Sequence, residues 1–118
     1  MENVVEIYKI SFFKKSINGR LLELMSSTSE VLDQFITDYD TADLVDRFVI
    51  SYIDSVQSGQ TPENIIISES MVAVRITNSS SAFFTDPGYQ HDSPPALVIP
   101  TDHLRQIALL WRDFLQNA

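Results

Sequence analysis

The chain contains no cysteine. Disulfide staples, thiolate metal sites and a cysteine nucleophile are therefore excluded, and the fold is held by packing and hydrogen bonding. Glycine is scarce. Gly19, Gly59 and Gly88 lie too far apart in sequence to build a phosphate-cradling loop. No Gly-x-Ser-x-Gly elbow frames any serine, and no His-Glu-x-x-His segment is present. No apolar run approaches the roughly 18–20 residues that cross a bilayer. The opening Met1-Glu2-Asn3-Val4-Val5-Glu6 lacks the basic flank and apolar stretch of a secretory signal, so a cytoplasmic address is expected. Positive charge is short as well: 8 Lys and Arg against 16 Asp and Glu give a net charge of −8. Phosphate backbones and anionic membrane surfaces both call for a basic face. Neither nucleic acid nor a membrane is an expected partner.

What is present is the material for one core. The 118 residues are 44% hydrophobic and 20% charged, the balance of one globular domain, so 1–118 is read as a single domain. The charge is unevenly spread. Residues 1–27 carry +1, residues 28–58 carry −6 and residues 59–118 carry −3.

Residues 4–17, rich in Val, Ile, Tyr and Phe, read as a strand. Asn18-Gly19 follows, a pair that tolerates the positive φ of a type I′ turn, and a second strand runs over about 20–26. This turn sets Ile17 opposite Arg20, Lys14 opposite Glu23, Phe13 opposite Leu24 and Phe12 opposite Met25. Residues 29–38 read as a short helix. A longer helix restarts at Asp40 or Thr41 and carries Leu44, Val45, Phe48, Val49, Tyr52, Ile53 and Val56 at three- and four-residue spacing, with Gly59 as its stop. Strands are expected at 63–68, 71–77, 82–85 and 96–99. Residues 86–95, with three prolines and one glycine, form a loop. Thr101 is expected to cap a last helix that turns Leu104, Ile107, Ala108, Trp111, Phe114 and Leu115 inward, and Arg105 and Arg112 away. The order is ββ-αα-βββ(β)-α. The fold class is α+β, a mostly antiparallel sheet of about 5–6 strands with helices packed on it.

Few side chains suggest catalysis. His91 in the proline-rich loop and His103 at the start of the last helix could form a two-histidine acid–base pair, as in a small hydrolase or nuclease. Asp86, His91 and Asp92 could hold a metal. The plainer reading makes His91 a loop residue and places His103 on the surface beside the first-turn acid Asp102. No cofactor, metal or catalytic set is assigned. The acids Asp33, Asp38, Asp40, Asp43 and Asp46 either form a solvated helix face or offer a docking surface to a basic protein, since opposite charge speeds encounter and excludes wrong partners. Tyr39 and Tyr89 are candidate aromatic anchors beside that surface and in the 86–95 loop.

The segment Ala96-Leu97-Val98-Ile99-Pro100-Thr101-Asp102-His103-Leu104, followed by Ile107 through Leu110 and Trp111-Arg112-Asp113-Phe114-Leu115, resembles small bacterial immunity proteins. These neutralise polymorphic toxins, including those of contact-dependent growth inhibition. Size, acidity, lack of cysteine and element order resemble them too. The resemblance implies a non-enzymatic inhibitor whose partner is a cognate toxin domain, of a basic nuclease type. The acidic residues named above, with Tyr39, would face that toxin. An adaptor or structural interaction domain contacting its partner through the Tyr89 loop is the further alternative.

Overall fold

The computed structural model describes residues 3–85 and 94–117. Within them lie four helices and six strands, in the α+β order that the sequence implies. All strand pairs are antiparallel. They divide between a two-stranded hairpin and a four-stranded meander.

The first element departs from the expected strand. Val4–Tyr8 is a short helix, α1. The Asn3 side chain accepts hydrogen bonds from the backbone N–H groups of Val5 and Glu6, at 3.0 and 3.4 Å. Lys9 ends the turn in the left-handed region, at φ 54°, with its N–H returned to the Val5 carbonyl. Cap and stop override the β preference of Val4, Val5 and Ile7, and the turn buries Val4.

The hairpin pairs β1 (Ser11–Ile17) with β2 (Arg20–Ser26) in the register set by Asn18-Gly19, from Ile17–Arg20 out to Phe12–Met25. Both turn residues have positive φ, 53° and 81°. Phe12 anchors the hairpin by packing against Trp111 and Phe114, with ring centroids 5.7 and 5.5 Å away.

Helix α2 (Glu30–Thr37) is capped by Ser29, whose hydroxyl accepts from Leu32 N. Helix α3 covers residues 42–57 and is capped by Thr41 through Leu44 N. Its middle, Asp46–Ile50, is a π turn: the Ser51 N–H bonds to the Asp46 carbonyl, five residues back. Gly59 leaves the helix at φ 84°, as a left-handed stop requires.

The meander runs β3 (Glu63–Ile67), β4 (Ala73–Thr77), β5 (Ser80–Phe84) and β6 (Leu97–Pro100) side by side in chain order. Ile66, Val74, Ile76, Phe83 and Ile99 supply buried side chains to the helices. Phe35 of α2 meets Phe83 edge to face at 5.6 Å. From α3 come Val45, Val49, Ile53 and Val56. Helix α4 (Thr101–Gln116) brings Leu104, Ile107, Ala108 and Trp111.

Thr101 does not cap α4. Its hydroxyl is buried, donates to the Thr77 carbonyl at 2.7 Å and meets the Ser81 hydroxyl at 2.8 Å. It ties the strand-to-helix corner to the sheet. Arg105 and Arg112 do not point away either. Arg105 Nε lies 2.8 Å from Asp54 Oδ1 and Arg112 Nη1 lies 2.8 Å from Asp46 Oδ1, so α4 is clamped along α3.

Candidate protein-binding groove

An open groove of about 290 Å³ lies between α3 and the edge strand β3. The helix side comes from Leu44, Phe48 and Tyr52, four residues apart, one position before the core stripe Val45, Val49 and Ile53. The π turn holds an extra residue per turn, so both stripes run along the helix with little drift. The strand side comes from Ile65, Ile66 and Ile67. Ile66 is buried, whereas Ile65 and Ile67 are 40% and 58% exposed and Phe48 is 38% exposed. Asp38, Tyr39, Ser68 and Glu69 complete the lining.

Charge collects around this apolar strip. Asp38 accepts from Ser70 twice, from its N–H at 3.0 Å and its hydroxyl at 2.7 Å, and so fixes the β3–β4 turn. Glu69, in that turn, is exposed, as is Glu63 at the far end of β3. Tyr39 is buried, with its ring edge to face on Phe35 at 5.3 Å. Its carbonyl accepts the Trp111 indole N–H at 2.7 Å. Burial, reinforced by Asp38, Tyr52 and Glu69, pushes its phenol up to about 12. The negative surroundings of Asp38 and Glu69 favour a cation here for the reason they disfavour a phenolate.

The other sequence-derived candidates are dispersed. Asp33 is half-buried, with one carboxylate oxygen turned inward and no hydrogen-bond partner among the described residues. Asp40 is exposed and lines a second cleft, of about 230 Å³, with Arg20, Glu23 and Thr37. Asp43 is exposed and pairs with Arg47 at 3.2 Å. Asp46 is committed to Arg112. Of the five acids, only Asp38 lines the groove; Asp40 lines the second cleft, Asp43 pairs with Arg47 and Asp46 holds two helices together. Tyr39 is an interior residue that borders the groove rather than an exposed anchor.

His103 is buried, not a surface residue. Its Nδ1 lies 2.7 Å from the Tyr8 hydroxyl, which couples α4 to α1. Asp102 accepts from Gln106 at 3.0 Å, one turn along the same helix. Tyr89, Asp86, His91 and Asp92 lie outside the described residues. Among the described residues no cluster of three or more His, Asp or Glu could hold a metal, and no helix is long and apolar enough to cross a membrane.

Sequence reasoning missed Phe48, Ile65, Ile67 and Glu69. Phe48 sits in a helical apolar pattern that reads as core. Ile65-Ile66-Ile67 is a uniform run that hides which residues face out. The comparisons add no relative: no protein-family model, no curated protein and no solved structure matches the chain.

Proposed function

We propose that this protein is an inhibitor of the immunity type, which binds and neutralises a basic, nuclease-type toxin domain through the acidic side of the α3–β3 groove. The observation that carries the reading is the groove itself. Leu44, the exposed Phe48 and Tyr52 face the β3 edge at Ile65, Ile66 and Ile67 across an apolar strip, with Asp38 and Glu69 in its lining and the exposed Glu63 at the far end of β3. An apolar centre inside a charged rim is the anatomy of protein interfaces. The centre supplies affinity, and the rim supplies encounter rate and selectivity. A toxin that must attract phosphates carries the complementary charge. The 2.7 Å contact of His103 with the Tyr8 hydroxyl supports a packing role for that histidine between α1 and α4.

Capture followed by rescue tests the reading. Tagged protein used as bait should retain a basic protein that is released as salt rises. That protein, expressed alone, should arrest growth, and co-expression of this chain should relieve the arrest. Relief should be lost when Phe48→Ala is combined with Glu69→Lys. Relief that survives this pair of changes places the interface elsewhere and overturns the groove reading.

A further inference from the structure

We infer that a second copy of this chain docks in the groove by strand addition, with β1 of one copy laid along β3 of the other, and the exchange made twice around a two-fold axis. The inference does not depend on the toxin reading: the two occupants compete for one groove, and the self-association of the chain alone is tested without the toxin.

The first support is the backbone. β3 is the outer strand of the meander. Ser68 N–H bonds to the Val72 carbonyl at 3.0 Å, which extends the β4 ladder by one residue. In an antiparallel pair hydrogen-bonded positions alternate, so Asn64 and Ile66 also face β4. Glu63, Ile65 and Ile67 then direct their N–H and C=O groups to the open edge. The Thr61 hydroxyl, which donates to the Glu63 carbonyl at 3.0 Å, agrees with this parity. β3 contains no proline and no lysine, the residues that commonly guard an edge.

The hairpin offers a matching strand. Met25 N–H on the outer edge of β2 points to the Thr37 hydroxyl at 3.4 Å, so β2 is turned towards α2 and β1 is the open side. Six of the seven β1 residues are exposed. By the same alternation Phe12, Lys14 and Ser16 aim their backbone groups outward. Phe13, Ile17 and Leu21 leave apolar surface on the hairpin, with Leu21 65% exposed.

Charge selects the occupant. Arg47, Arg105 and Arg112 are in ion pairs, and Arg75 lies over the Phe84 ring. The other four cations of the chain are Lys9, Lys14, Lys15 and Arg20, all on the hairpin or leading into it. The groove lining carries Asp38 and Glu69, and Glu63 is exposed at the start of β3. The basic, apolar, open-edged hairpin thus complements the acidic, apolar, open-edged groove of another copy. A reciprocal pair closes as a dimer, whereas a single contact would propagate.

Sedimentation velocity of the full chain, from micromolar to near-millimolar concentration at low salt, tests this. The wild type should reach the mass of a dimer. Ile67→Pro removes an outward N–H and leaves the β4 ladder in place, so it should weaken association about tenfold or more. Lys14→Glu with Lys15→Glu should do the same, as should Glu63→Lys with Glu69→Lys. Mixing the two charge-reversed proteins should restore the dimer, because both contacts then join opposite charges. Far-UV circular dichroism verifies folding, and the mixing arm stands even if the proline variant does not fold. A wild type that stays monomeric throughout overturns the proposal. So do charge-reversed proteins that dimerise alone as the wild type does, or that fail to associate when mixed.

Discussion

Arg112 on α4 reaches Asp46 on α3 at 2.8 Å, and the pair stands half-exposed where the two helices cross. With Arg105–Asp54 it forms a second rung, so the two helices run antiparallel with charges in register. Asp46 belongs to the scaffold, not to the binding face. Arg112→Ala should lower stability by about 1 kcal/mol, from the pair and from the packing of its stem. Asp46→Asn should cost less. Both variants should bind a partner as the wild type does, and urea unfolding set beside a binding titration separates the two effects.

Trp111 is fully buried, and its indole N–H bonds to the Tyr39 carbonyl at 2.7 Å. It is the single tryptophan. Its fluorescence should be blue-shifted in the native protein and move to the red in one cooperative step on unfolding. Trp111→Phe keeps an aromatic ring but leaves a buried carbonyl unpartnered. The loss should be about 1–3 kcal/mol from that group alone, with more for the volume removed.

Tyr39 gives the fold a pH signature. Its phenol is raised from 10.0 to about 12, chiefly by burial and then by Asp38, Tyr52 and Glu69. A raised folded-state value means that the unfolded chain loses this proton first. The stabilisation linked to Tyr39 is complete below pH 10.0 and is lost as the pH climbs from 10.0 towards 12. Ultraviolet titration should show one tyrosine ionising well after the ordinary range. In Tyr39→Phe this late step should be absent, and the alkaline loss of stability should be smaller.

Tyr8 and His103 join the N-terminal helix to α4 at 2.7 Å. Tyr8→Phe removes this hydrogen bond to the imidazole and should cost about 1 kcal/mol, with early fraying of residues 4–8 in hydrogen exchange. Binding through the groove should be unchanged. Loss of a chemical activity in Tyr8→Phe or His103→Gln, with stability and binding intact, would favour the hydrolase alternative built on His91 and His103.

Local signals carried the elements that sequence reading placed well. Asn18-Gly19 dictated the hairpin register residue by residue, because a two-residue turn leaves no slack. Ser29, Thr41 and Gly59 marked helix ends through their own side-chain or φ chemistry. Helix α1 was missed because Val4, Val5, Ile7 and Tyr8 prefer strands, and only the Asn3 cap and the left-handed Lys9 tip the balance. The acidic run was legible as composition, but its division was not. Asp46 meets Arg112 and Asp38 meets Ser70 only after distant segments fold together. The groove hid for the same reason. Phe48 reads as core, and Ile65 as one residue of a uniform strand run, until the strand order places β3 at an edge with nothing beyond it among the described residues.

Hydrogen–deuterium exchange on the complex with the captured partner tests the central claim most directly. Against the free chain at a concentration where it is monomeric, the claim predicts new protection at 63–69, along the β3 edge, and along 44–52, the groove side of α3. It predicts little change along the β4 and β5 ladders, which are already protected. Protection confined to other surfaces, with 63–69 exchanging as in the free protein, would contradict it.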